Sequence, residues 1–135
     1  LVVLFIVSCG LNSARAGLER DKAIELMNEC KEKTKAKEDV LDVIDKNKMP
    51  TSAEGKCMMH CVMESKGLMT GSKANTKAFA DYFEKAYATE PAKLENAAKA
   101  LAACSVQKNG WGSLDKCEIA SRIFKCGADN HVSLS

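Results

Sequence analysis

Apolar residues recur along most of the chain at the three- and four-residue spacing of amphipathic α-helices, and clean strand-like alternation is nearly absent. One such stripe consists of Ile24, Met27 and Cys30, and it predicts a first helix over residues 18–34. A shorter stripe predicts a second helix over residues 38–46. Ala, Lys, Glu, Leu and Met dominate the sequence, and all five favour helices. The pattern therefore predicts an all-helical protein.

Four further helices are predicted from the same spacing and from residues typical of helix ends. Their ranges are about 52–66, about 75–88, a fifth helix that starts at Pro91, and a sixth that ends at Cys126. We expect N-caps at Thr51 or Ser52, at Thr89 and at Ser113, and left-handed glycines after the helix ends at Gly67 and Gly127. These helix-end signals, together with the apolar spacing, predict six helices joined by short connections.

Two of these helices, the third and the sixth, are apolar on more than one side. In the third, one arc holds Cys57, Met58, Cys61 and Val62, the next arc holds Met59 and Met63, and the far side holds His60 and Glu64. A core needs only one apolar stripe, so the second face requires another helix, a ligand or a partner. Methionine fills irregular space and accepts guests of varied shape, which suits a binding wall.

The first sixteen residues, LVVLFIVSCGLNSARA, follow a different pattern. An apolar run that ends in the small residues Ala14 and Ala16 is typical of a secretory signal, and this run is too short for a bilayer span. A charged n-region is missing, so we expect the chain to begin inside its leader. We predict that residues 1–16 are removed and that residues 17–135 form a single extracellular domain.

Cysteine count and charge narrow the protein class. Removal of the leader takes Cys9 and leaves six of the seven cysteines, an even number that suits three disulfides in an oxidising compartment. The formal net charge of the whole chain is +2, and the loss of Arg15 lowers it to +1. A net charge this close to zero is not typical of a nucleic-acid-binding protein, so we expect no nucleic-acid partner.

Helix geometry excludes two of the possible disulfides. Cys57 and Cys61 lie one turn apart with Cβ atoms about 5 to 6 Å from each other, which is too far for a disulfide. Cys117 and Cys126 lie on opposite sides of the sixth helix, so they also need separate partners. Six cysteines allow fifteen pairings, and these two exclusions leave ten of them open.

The cysteine intervals resemble those of a known family. They are 26, 3, 42, 12 and 8 residues, and this order is similar to that of the six-cysteine insect odorant-binding proteins, which include pheromone-binding proteins. The segments KCMMHCVMESKGLM (residues 56–69) and DKCEIASRIFKC (residues 115–126) look like the family's pattern as well. The resemblance extends over residues 20–126, so it covers most of the chain.

This resemblance implies a six-helix all-α bundle, stapled by disulfides around a closed hydrophobic cavity, that carries odorants, pheromones or similar apolar molecules through aqueous fluid. It implies the disulfides Cys30–Cys61, Cys57–Cys117 and Cys104–Cys126. We expect the ligand to contact Met58, Met59, Val62, Met63, Phe79, Tyr82, Phe83, Leu94, Ala98, Leu101, Trp111 and Phe124. A membrane chemoreceptor would be a further partner, the protein itself would be a monomer or weak homodimer, and no cofactor is expected.

Other functions agree less well with the sequence than a carrier does. A zinc site at Cys57 and Cys61 is disfavoured because the helix turns His60 away from both thiols, and no metal is expected. No catalytic motif accompanies either histidine, so we do not expect the protein to be an enzyme. The main alternatives are a secreted inhibitor, toxin-like or antimicrobial helical domain, and a carrier of fatty acids, hormones or amines.

The C-terminal segment, residues 127–135, is short. We expect it to be a loose end in which His131, Val132 and Leu134 form at most a partial lid over the cavity. Protonation of His131 near pH 6 would loosen such a lid.

Overall fold

Two helices, α3 (Ala53–Ser65) and α6 (Lys116–Asp129), form the centre of the bundle and share an extensive interface. The computed structural model describes residues 19–132, so the predicted leader and the last three residues, Leu134 among them, lie outside that range. The helix α1 spans residues 19–34 of the described part. The remaining elements are α2 (Val40–Lys46), β1 (Met69–Thr70), β2 (Lys73–Ala74), α4 (Thr76–Ala86) and α5 (Pro91–Ala103). The six-helix, all-α fold class predicted from the sequence is confirmed.

The central helices bury a continuous core in the described part of the chain. Its most buried large side chains include Met58 and Met59 of α3, Ile119 of α6, Met27 of α1 and Ile44 of α2. Both α3 and α6 therefore face neighbours on two sides, as their double apolar stripes predicted. At about 0.8 kcal/mol for each buried methylene group, these side chains supply a large share of the folding free energy.

Three disulfides staple these helices, and they are the bonds that the family resemblance implies. Cys30–Cys61 joins α1 to α3, Cys57–Cys117 joins α3 to α6, and Cys104–Cys126 joins the end of α5 to α6. The two cysteines of α3 bond to different helices, as the geometry of a helical turn requires. The sequence separations are 31, 60 and 22 residues, so each bond removes loop entropy from the unfolded chain.

Helix ends agree with the sequence in some places and differ in others. The predicted N-cap Ser52 accepts from the Gly55 amide at 2.9 Å, and Gly67 adopts the expected left-handed conformation with φ +72°. The sixth helix is capped by Asp115 and not by Ser113, because the Asp115 carboxylate accepts from the Cys117 amide at 2.8 Å. The fifth is preceded by Glu90, without a side-chain cap, and not by Thr89.

The C-terminal end of α6 also differs from the prediction. Gly127 was expected to end the helix, but the helix continues to Asp129, and His131 takes the left-handed position with φ +65°. The Val132 amide then donates to the Gly127 carbonyl at 2.9 Å, and the His131 amide donates to the Ala128 carbonyl at 3.0 Å. This pair of bonds is a Schellman motif, which turns Val132 back onto the helix.

A small hairpin is the exception to the helical pattern. β1 and β2 pair antiparallel, with Met69 opposite Ala74 and Thr70 opposite Lys73, around a turn that contains Gly71 at φ +59°. The sequence pattern did not indicate this hairpin, because two-residue strands are too short to show alternation. The hairpin packs over α3 and covers one side of that helix.

The hairpin explains why His60 is buried. The sequence placed His60 on a solvent-facing side of α3, but only 4% of the residue is exposed. Its Nε2–H donates to the Gly71 carbonyl at 2.8 Å, and Nε2 lies 3.6 Å from the Glu64 carboxylate. The prediction of an exposed His60 failed because a helical wheel shows only the faces of one helix. It does not show which later segment folds back over a face.

Besides its Ser52 cap, the N-terminus of α3 has a carboxylate partner, Glu38, and this contact leads to a pH-dependent prediction. The Ser52 hydroxyl donates to Glu38 at 2.7 Å. Partial desolvation raises the pKa of the Glu38 carboxyl, but the hydrogen bonds from Ser52 outweigh it and hold that pKa below its ordinary value. The charged form of Glu38 therefore stabilises the fold above about pH 4.5, and this contribution is lost as the pH falls through the lowered pKa.

We expect Ser52→Ala to lower the free energy of unfolding by about 1 to 2 kcal/mol at pH 7, since it removes both a helix cap and the partner of Glu38. The loss should become smaller as the pH is lowered toward 3, because the Glu38 carboxyl takes up a proton as the pH falls through its lowered pKa. Urea unfolding of both proteins at the two pH values measures the difference. Thr51→Ala, at the exposed neighbouring position, is the control and should change stability little. An equal loss for Ser52→Ala at both pH values would contradict the role of Glu38.

Candidate binding cavity

A cavity of about 120 Å³ lies between α3, α4, α5 and α6. Its walls are mostly apolar, and the cavity-lining residues are Met59, Val62, Met63, Lys66, Leu68, Ala74, Thr76, Phe79, Tyr82, Phe83, Ala100, Leu101, Cys104, Ser105, Val106, Ile123, Phe124, Gly127, Ala128 and Val132. An apolar cavity with few polar groups is the usual form of a site for a small hydrophobic ligand.

The fourth helix provides the aromatic wall. Phe79, Tyr82 and Phe83 line the cavity, and the Phe83 ring lies 6.2 Å from Phe79 and 5.7 Å from Tyr82, measured between ring centroids. The next ring, Tyr87, stacks on Phe83 at 6.0 Å. No residue of α4 is fully buried, although its apolar and polar faces are clearly separated. The aromatic face of α4 therefore covers the cavity without filling it.

The opposite walls come from the two central helices. Met59, Val62 and Met63 of α3 line one side, and Ile123 and Phe124 of α6 line another. All five are buried. The flexible methionine side chains can adjust to a guest, whereas the disulfides and the central interface hold the backbone of these walls in place.

Eight of the twelve residues predicted to contact ligand line the cavity: Met59, Val62, Met63, Phe79, Tyr82, Phe83, Leu101 and Phe124. Four do not. Met58 is fully buried in the core and does not line the cavity. Leu94 and Ala98 fall outside the cavity, because α5 turns Ala97 and Ala100 inward and leaves Ala98 exposed. Whether the eight bind a ligand stays a prediction.

Trp111 is the fourth residue outside the cavity. It lies in the connection between α5 and α6, where it is half-buried and borders a separate surface groove together with Lys56 and Glu118. That groove is larger, about 520 Å³, but charged and polar side chains form much of its wall. The hydrogen bond from Lys56, helped by one from Arg122, holds the pKa of the Glu118 carboxyl below its ordinary value. These paired charges make the groove a poor place for an apolar guest.

Several lining residues were not among the twelve predicted ligand contacts. Leu68 and Val132 follow the ends of α3 and α6 and are turned back toward the cavity by the bonds Leu68 N–H to Met63 C=O, 2.9 Å, and Val132 N–H to Gly127 C=O, 2.9 Å. Gly67, whose residue type predicts a left-handed position, was the available signal for Leu68, whereas the left-handed His131 before Val132 is not such a residue type. Val132 thus fits the expected partial lid in position, while His131 is exposed and does not line the cavity.

Polar groups are few in the cavity wall. Within residues 19–132, the polar side chains among the cavity-lining residues are those of Lys66, Thr76, Tyr82 and Ser105. The Lys66 ammonium lies 4.8 Å from the centre of the Tyr82 ring. The Ser105 hydroxyl accepts from the Lys108 amide at 3.4 Å. The wall can therefore orient a polar head group near its rim but offers no paired acid and base.

The described residues also bear on a metal site and on a membrane span. In the described part of the chain, no group of three or more His, Cys, Asp or Glu side chains is arranged to hold a metal ion. None of the helices formed by residues 19–132 combines the length and the hydropathy of a membrane span.

The size of the cavity limits what enters without rearrangement. A closed apolar cavity of about 150 Å³ accepts benzene in another protein, whereas typical ligand pockets measure about 300 to 1,000 Å³. At about 120 Å³, the cavity holds one small apolar group as it stands. Longer ligands require the methionines to change rotamer or α4 to move outward.

Comparison with known proteins agrees with this architecture. Residues 18–130 match the model of the PBP/GOBP family. A protein of Drosophila melanogaster, General odorant-binding protein 19d, is 30% identical in an alignment of 129 residues that covers 93% of this chain and 84% of that protein. The solved structure of Odorant-binding protein dmelOBP28a from Drosophila melanogaster has the same fold, with a TM-score of 0.60 at 22% identity over 86% of this chain and 92% of that one. The chain belongs to the PBP/GOBP family of insect odorant-binding proteins.

Proposed function

We propose that this protein is a secreted, non-catalytic carrier that encloses small hydrophobic molecules, such as odorants or pheromones, in the cavity between α3, α4, α5 and α6. The observation that carries the proposal is the apolar cavity beneath the aromatic face of α4. Membership of the PBP/GOBP family supports it. The three disulfides suit an oxidising extracellular fluid.

The cavity chemistry suits transient binding. Transfer of an apolar ligand from water to this wall is favourable by about 25 cal/mol for each Å² of apolar surface removed from water. A ligand of about fifteen heavy atoms that gains roughly 0.5 kcal/mol per atom would bind with a dissociation constant in the low micromolar range. Such a carrier can still release its guest, for example to a membrane chemoreceptor.

Competition with an environment-sensitive fluorophore tests this proposal. We expect aliphatic alcohols, esters or terpenoids to displace the dye from mature protein with micromolar inhibition constants, because they can fill the apolar cavity. Reduced and unfolded protein is the control for non-specific dye binding. If no compound in such a panel displaced the dye, the carrier function would be wrong and an inhibitor, toxin-like or antimicrobial role would be favoured.

A further inference from the structure

Lys66 is the charged residue of the cavity wall. It follows the last residue of α3, and within residues 19–132 no other cavity-lining side chain carries a formal charge. The remaining lining side chains are apolar apart from the hydroxyl groups of Thr76, Tyr82 and Ser105 and the disulfide-bonded Cys104. The rim of an otherwise neutral cavity thus carries one positive charge.

This ammonium group has no carboxylate partner in the described part of the chain. Other lysines do: Lys56 pairs with Glu118 at 2.8 Å, and Lys125 pairs with Asp129 at 2.8 Å. The contact of Lys66 is with the face of Tyr82, 4.8 Å from its ring centre, which places the charge beside the aromatic wall. Glu64, two residues earlier, lies against His60 and Gly71 instead. The charge of Lys66 therefore remains available to a ligand.

We propose that the cavity prefers amphiphiles with a carboxylate head and an aliphatic tail, with Lys66 as the residue that determines this preference. This inference rests on the proposed carrier function. The tail occupies the apolar interior, while the ionised carboxylate lies at the rim and accepts a charge-assisted hydrogen bond from the Lys66 ammonium. A neutral alcohol of equal length gains the apolar contacts without the ion pair. An alkylammonium ion meets a like charge and no acidic wall residue.

Three ligands of equal chain length separate the head group from the tail. We expect octanoate to bind wild-type protein about fivefold or more tightly than octan-1-ol at pH 7.4 and low ionic strength, and octylammonium to bind more weakly than both. Binding is measured by isothermal titration calorimetry or dye displacement. Because Lys66 is exposed, 0.5 M NaCl should weaken octanoate binding and leave octan-1-ol binding nearly unchanged.

Variants at one position assign the effect to Lys66. Lys66→Met keeps an unbranched side chain and should reduce octanoate affinity about fivefold while octan-1-ol affinity changes less than twofold. Lys66→Glu should reverse the order, so that octylammonium binds more tightly than octanoate. Lys77→Met is the matched control: Lys77 is an exposed lysine of α4 next to the lining residue Thr76, but it does not line the cavity. It should leave all three affinities unchanged.

The outcomes distinguish this inference from the function on which it rests. If octan-1-ol binds and octanoate gains nothing, or if Lys66→Met weakens both ligands equally, the carboxylate preference is wrong and the carrier function stands. If none of the three ligands binds wild-type protein and the wider apolar panel also fails, the carrier function itself is wrong. Wild-type selectivity and its salt dependence decide the inference even if a variant folds poorly.

Discussion

We expect removal of the Cys57–Cys117 disulfide, by Cys57→Ala with Cys117→Ala, to lower the free energy of unfolding by about 4 kcal/mol. The two cysteines are 60 residues apart, so the unfolded chain gains more conformational entropy than at either of the other bonds. The native α3 and α6 still share their apolar interface, and so the double variant should remain folded at low temperature. Urea unfolding at 25 °C measures the loss.

The Cys104–Cys126 disulfide is the matched comparison. It closes only 22 residues, and we expect Cys104→Ala with Cys126→Ala to cost about 3 kcal/mol. Unlike Cys57, however, Cys104 lines the cavity and ties α5 to the C-terminal part of α6. At temperatures where both variants are folded, ligand affinity should therefore fall more in this variant. If the bond between α3 and α6 proved less important for stability than the shorter loop, native-state contacts and not loop entropy would set the order.

Helix positions could be predicted from the sequence because the spacing of apolar residues reports directly on the period of a helix. The six helices, the Ser52 cap and the left-handed Gly67 all follow from local signals. The hairpin over residues 69–74 and the burial of His60 beneath it could not be predicted in this way. Both depend on where a segment folds after its helix has ended, which is a tertiary property.

The prediction of cavity-lining residues was best where the pattern of a single helix determines which side chains face the cavity. The aromatic residues of α4 share a single arc, so Phe79, Tyr82 and Phe83 were found together. Helix α3 is apolar on two sides, and the pattern does not say which side packs against α6 and which faces the cavity. Met58 was therefore assigned to the ligand although it belongs to the core. On α5 the many alanines do not define one inward face, so Leu94 and Ala98 were assigned to the ligand although Ala97 and Ala100 are the buried residues.

Lys66 shows a further limit of apolar patterns. A pattern of apolar residues selects hydrophobic side chains, so a lysine that lines the wall with its ammonium over the Tyr82 ring is passed over. Its proposed role rests on the placement of its charge beside Tyr82 and on the lack of a carboxylate among the cavity-lining residues in the described part of the chain. Specificity in such a site depends on a few polar atoms, whereas apolar area determines most of the affinity.

The aromatic wall gives the second large prediction. We expect Phe83→Asp to weaken the binding of apolar ligands such as octan-1-ol about thirtyfold or more, because a carboxylate replaces the central ring of the wall and must lose hydration when a ligand enters. The fold should survive, since α4 has no fully buried residue and Phe83 is half-buried. Dye displacement measures the affinity, and thermal unfolding followed by circular dichroism checks the fold.

Two control variants show whether the effect belongs to the cavity. Leu41→Asp introduces the same charge at an exposed position of α2, where the residue is 49% accessible, and should leave affinity unchanged. Phe83→Leu keeps an apolar side chain at the wall and should retain affinity within about threefold. Wild-type affinity in a folded Phe83→Asp variant would mean that ligands bind elsewhere, since a guest beneath α4 cannot avoid a charge at the centre of the aromatic face.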